Sequence, residues 1–166
     1  MTTPIAIAAL LGVFGGPSAD ADFLTPPADM PAAYRSECGS CHVPYPPNLL
    51  SSGGLFSGGG WRAIIGDLRS HFGENAALEE SVRRQIEQYL LDHAGDERRF
   101  TSRTDPPRLT TTLWFRRNHG AVKAHFADAR VGSPANCPAC HSRAEEGSYA
   151  RSEVVLPDSP RRQGAK

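Results

Sequence analysis

Apolar residues recur along the chain at spacings of three and four, the period of a helix with one buried face. From Trp61 to Phe72 they fall at Trp61, Ile64, Ile65, Leu68 and Phe72, and Gly73 ends the run. From Leu78 to His93 they fall at Leu78, Val82, Ile86, Tyr89 and Leu90, with Gly95 as the stop. A shorter helix is expected over Thr110–Asn118, carrying Leu113, Trp114 and Phe115. Between these lie breakers. Residues 22–36 are Pro-rich and read as extended up to Tyr34. Pro44-Tyr45-Pro46-Pro47 and a Gly/Ser loop reach to Gly60, and the charged Asp96–Arg108 stretch with Pro106-Pro107 reads as a linker. Val154-Val155-Leu156 is the one candidate strand.

The amino terminus has a different pattern. Pro4 to Phe14 is uniformly apolar, a Gly-Gly-Pro break follows, and Ala19-Asp20-Ala21 has the form of an export-signal cleavage site. Residues 1–21 are therefore expected to be a signal peptide, although no Lys or Arg precedes the run. The run is too short to span a bilayer, so no stable membrane insertion is expected.

Composition narrows the field. The 166 residues hold 18 Lys+Arg against 18 Asp+Glu, a formal net charge of zero, so nothing calls for a nucleic-acid partner. Sixteen Gly and 14 Pro stay below the share of low-complexity chains. With 39% hydrophobic residues, a core built only of side chains would be thin, and a large apolar cofactor would fill it.

The four cysteines identify that cofactor. Cys38-Gly39-Ser40-Cys41-His42 and Cys137-Pro138-Ala139-Cys140-His141 are two copies of C-x-x-C-H, the attachment motif of haem c. Residues three apart on a helical turn share a face, so two thiols can meet the two vinyl groups on one side of a porphyrin. The histidine is then placed to reach the iron. A short helix is expected to carry Cys38–His42, and another to open near Pro134. A four-cysteine zinc site would not require His after each pair.

A second axial ligand is usually His or Met. Met1 leaves with the signal and Met30 sits just before the first motif, which leaves His71, His93, His119 and His125 beside the proximal His42 and His141. His71 continues the series Trp61, Ile64, Leu68, and His119 follows Phe115 by four. Both are expected to bind iron. His93, at a helix end, and His125, in an irregular stretch, are not.

The residues Glu37–His42, Tyr45-Pro46-Pro47, Trp61, His71–Ala76, Tyr89-Leu90, Arg108–Thr110, Trp114-Phe115, His119, Gly132–Cys137, Cys140-His141, Ala144-Glu145 and Gly147 resemble the small dihaem cytochromes c of proteobacteria, the DHC family. The resemblance covers about Glu37 to Pro157. It implies a mainly α fold in which two small haem-binding units pack around two covalently attached haems, with few or no strands. It implies bis-histidine irons and electron exchange with a membrane b-type cytochrome and, in some members, a small oxygen-binding haem protein. It does not fix which distal histidine serves which haem. The tandem layout is read as units 22–104 and 105–166. A periplasmic electron carrier is the expectation. The alternative is a peroxidase-like dihaem enzyme or gas binder with one open iron.

Overall fold

The computed structural model describes residues 27–54 and 59–157; the expected signal peptide lies outside them. Among the described residues the structure is helical, and its only β pairing consists of isolated bridges.

Helix α1, Ala32–Cys38, starts behind Pro31, whose fixed φ suits a helix entrance, and buries Tyr34. Residues that read as extended are thus partly helical, and the helix leads into the first motif instead of carrying it. A 3₁₀ turn at Pro47–Leu49 follows. Helix α2, Trp61–Gly66, is half the expected length. Asp67, at φ −131° and ψ 54°, breaks it, and a 3₁₀ turn at Leu68–Ser70 delivers His71 in a non-helical conformation.

Helix α3, Glu80–Asp92, matches its expected span. The Glu79 carboxylate accepts from the Ser81 and Val82 amides, and Ile86, Tyr89 and Leu90 are buried. The Asp96–Arg108 stretch is not a free linker. The Asp96 carboxylate accepts from the Arg99 amide at the start of α4, Glu97–Phe100, and Phe100 is fully buried. Helix α5, Leu113–His119, opens where Thr112 Oγ1 accepts the Phe115 amide at 3.2 Å. A 3₁₀ segment, Gly120–Ala127, continues from it. The second motif lies on a 3₁₀ turn, Cys137–Ala139, and no helix opens at Pro134. The expected terminal strand is reduced to one bridge between His141 and Val154.

Two hydrophobic clusters form. The first gathers Tyr34, Leu50, Trp61, Ile65, Leu68, Ile86, Tyr89 and Leu90. The second gathers Leu49, Phe100, Leu109, Phe115, Ala144 and Tyr149. Tyr45 packs against both. The buried Trp61 indole N–H donates to the Pro47 carbonyl at 2.6 Å, tying α2 to the turn behind the first motif. The Gly-rich loop has a steric purpose. A Cβ on Gly60 would stand 2.4 Å from the Ser51 carbonyl oxygen and 2.3 Å from the Gly53 nitrogen, so two backbone runs cross there that no side chain could separate.

Candidate haem centre

Neither C-x-x-C-H segment fills a helix: the first follows helix α1, and the second starts on a 3₁₀ turn. Helix α1 ends at Cys38, where the Gly39 amide donates to the Arg35 carbonyl, and Ser40 Oγ donates to the Glu37 carbonyl at 2.8 Å. Cys41 and His42 therefore project from the turn beyond. In the second motif the Cys140 and His141 amides both donate to the Cys137 carbonyl, at 3.1 and 2.8 Å. The Val155 amide donates to the Cys140 carbonyl at 2.8 Å, so the C-terminal segment clamps this motif from outside.

The histidines come together in two pairs. The His42 and His71 rings face each other with centroids 6.3 Å apart and planes 27° apart. The His119 and His141 rings have centroids 6.1 Å apart and planes 63° apart. Metal–imidazole bonds of about 2 Å on opposite sides of one ion put two ring centroids about 6 Å apart. Both pairs have that spacing.

Tautomers agree with it. A carbonyl only accepts, so the 2.8 Å contact from His42 Nδ1 to the Val43 carbonyl and the 3.1 Å contact from His119 Nδ1 to the Phe115 carbonyl require protons on Nδ1. Nε2 is then left with its lone pair, the form a metal needs. His119 is also held by a stack on Phe115, centroids 4.0 Å apart and planes 11° apart. His141 Nδ1 is buried with no hydrogen-bond partner among the described residues.

Burial disfavours the charged forms of His71, His119 and His141. It lowers the pKa of His71 and of His141, and the facing histidine lowers each further. Burial lowers that of His119 as well, partly opposed by its Phe115 contact. The thiols of Cys38 and Cys137 are pushed up to about 11, chiefly by burial. Such surroundings disfavour the thiolates that zinc would require and suit neutral thioethers. Among the described residues no group of three or more His, Cys, Asp or Glu gathers as a metal-ion cluster, unlike a four-cysteine zinc site.

The other two histidines are placed differently: His93 meets a surface carboxylate, and His125 stands in the wall of the second site. His93 Nε2 contacts the Asp29 carboxylate at 3.1 Å. His125 lines a cavity of about 320 Å³ whose walls include His119, His141, Cys137, Phe115 and Phe126. A cavity of about 1130 Å³ opens beside Cys41, His42 and Tyr45 and reaches Ala135, Asn136 and Pro138 of the second motif. It thus spans the space between the two motifs.

Tyr45 escaped the reading by period, since no helix carries it. Its ring stacks on His42, centroids 4.6 Å apart and planes 15° apart. Its hydroxyl donates to the Ala135 carbonyl at 2.9 Å, and burial pushes its pKa up to about 12, keeping it a donor. The available signal was its place three residues after the first His, between prolines.

A family model described as dihaem cytochrome c matches residues 34–149. A search of curated proteins found no match. Among solved structures, the X-ray structure of the diheme cytochrome type c from Shewanella baltica has 36% identity and a TM-score of 0.63, covering 78% of this chain and 95% of its own. A diheme cytochrome c from Rhodobacter sphaeroides has 35% identity and a TM-score of 0.58, covering 73% and 98%. DHC purified from Rhodobacter sphaeroides has 38% identity and a TM-score of 0.57, covering 72% and 97%. The two C-x-x-C-H turns, the family match over both of them and these likenesses agree: the chain belongs to the dihaem cytochrome c family, a c-type cytochrome with two haems and a role in electron transfer.

Proposed function

We propose that this chain is an exported electron carrier in which His42 and His71 hold one haem iron, and His141 and His119 hold the other. The observation that carries the reading is the approach of the two ring pairs to centroid distances of 6.3 and 6.1 Å, each joining a motif histidine to a distant one. Cys38 and Cys41 attach the first haem, and Cys137 and Cys140 the second. When bound, each haem supplies a one-electron iron couple.

The residues around it keep that couple and little else. Two imidazoles per iron leave no position for a substrate or gas. The Val43 and Phe115 carbonyls hold two of the imidazoles by their Nδ1 protons, so the rings are set before and after electron gain. Phe115, Leu109 and Tyr149 keep water from the second site.

Export is supported by the apolar segment before Ala21 and by haem c attachment, which takes place outside the cytoplasm. Among the described residues no helix is long and apolar enough to cross a membrane. The redox partners proposed from the family resemblance are a membrane b-type cytochrome and a small oxygen-binding haem protein.

The test is an absorption spectrum of the purified protein, oxidised and reduced, with and without carbon monoxide. Low-spin spectra unaffected by carbon monoxide are expected. Full-occupancy binding at one haem of the unmodified protein would replace the carrier with a gas-binding or peroxidase-like enzyme. N-terminal sequencing of periplasmic material should begin at Asp22.

A further inference from the structure

The two motifs are 95 residues apart from His42 to Cys137, yet one side chain joins His42 of the first to the backbone carbonyl two residues before the second. We propose that Tyr45 is a positioning residue that sets the ring plane of His42 and couples the two haem sites through the Ala135 carbonyl for electron exchange between them.

The connection is short and each link is visible. The Tyr45 ring lies nearly parallel to the His42 ring, 15° from it at 4.6 Å, so His42 cannot rotate about its χ2 without striking it. The Val43 carbonyl holds the same imidazole at Nδ1. At the far end of the Tyr45 ring, its hydroxyl donates to the Ala135 oxygen at 2.9 Å. The same oxygen accepts the Cys137 amide at 3.0 Å. Tyr45 and the first thiol-bearing residue of the second motif therefore share one acceptor. The path from one site to the other consists of a ring stack, the tyrosine itself, one hydrogen-bonded oxygen and the Cys137 backbone.

Tyr45 is fixed at a third point. Its own carbonyl accepts the buried Tyr34 hydroxyl at 2.7 Å, which anchors it to α1 just ahead of Cys38. With its ring packed against both clusters, it has little room to leave this pose. The redox balance is simple. One electron leaves the reduced site and enters the oxidised one. Tyr45 is neither oxidised nor reduced, and its hydroxyl proton stays in place.

This inference rests on His42 and His71 sharing one iron, and the experiment separates the two claims. Tyr45→Phe keeps the ring and its packing but removes the bond to Ala135. Tyr45→Leu removes the stack as well. Electron paramagnetic resonance of the oxidised holoproteins reads each iron separately, and NMR exchange spectroscopy of half-reduced samples reads electron exchange between sites. In Tyr45→Phe, both low-spin signals should stay as in the wild type while exchange slows severalfold. In Tyr45→Leu, one low-spin signal should shift as His42 rotates, the other should stay, and exchange should slow further. Unchanged exchange in Tyr45→Phe overturns the coupling role, and an unshifted signal in Tyr45→Leu overturns the control of His42. A high-spin signal in the unmodified protein would instead overturn the bis-histidine reading itself.

Discussion

His93 turns its Nε2 to the Asp29 carboxylate, 3.1 Å away, across the end of α3 from the segment that leads into α1. Although it falls on the apolar face of its helix, the ring stays beside Tyr89 at 5.1 Å and makes a surface hydrogen bond. His93→Ala should therefore leave both haems low-spin. Because the pair is solvent-exposed, its loss should cost less than about 1 kcal/mol. Spectra and urea unfolding of the same variant check both statements; a new high-spin band would show that His93 reaches an iron.

His71→Ala should open the iron shared with His42, giving a high-spin signal and carbon monoxide binding at half the haem. His119→Ala should do the same at the other iron. The two variants should perturb different signals, since their partners are different motif histidines. Carbon monoxide titration against total haem gives the stoichiometry. Perturbation of the same signal by both would break the pairing proposed here.

Trp61→Phe removes the indole N–H that meets the Pro47 carbonyl at 2.6 Å inside the first cluster. The Pro47 carbonyl keeps the Leu50 amide at 3.3 Å, so the variant loses one hydrogen bond worth about 0.5–1.5 kcal/mol, and the urea midpoint should fall modestly with little change in slope. The haem spectra should hardly move, as neither residue touches a paired imidazole.

Stability should fall in mild acid. Folding lowers the pKa of His71, His119 and His141 below the ordinary 6.5, in each case mainly by burial. The unfolded chain then binds protons at a pH where the folded chain refuses them, so unfolding gains on folding as pH drops below about 6.5. Ligation to iron acts in the same direction, because a ligated nitrogen cannot take a proton. Urea midpoints should be flat above about pH 7.5 and decline steadily from about pH 6.5 to 5. A midpoint that rises in acid would mean these rings are charged when folded.

The sequence revealed chemistry better than backbone. Cys38, Cys41, Cys137 and Cys140 stand out by spacing alone, because adding two thiols to one porphyrin permits few spacings. His71 illustrates the limit. Its selection assumed one continuous helix from Trp61, but that helix breaks at Asp67, and His71 faces His42 from a tight loop. In that loop the Glu74 amide donates to the His71 carbonyl and Phe72 takes φ 52°. Periodicity counts apolar residues and has no means of registering a large cofactor that holds turns apart. The second motif shows the same effect, since a single 3₁₀ turn and the Val155 clamp replace the expected helix. In Asp96–Arg108, polar content points to a linker while Phe100, Ser102 and Pro107 go inside. Three buried residues among many charged ones are too few to form a period.

Leu49 and Phe100 belong by sequence to the stretch before residue 105, yet they complete the cluster beside Phe115 and Tyr149. During synthesis, then, the first portion of the chain emerges carrying two apolar side chains whose neighbours have not yet been made. The later portion, made alone from residue 105, would have its cysteines and histidines and lack part of the wall behind them. The two haem sites thus mature as one object, and splitting the gene between them would yield two incomplete proteins.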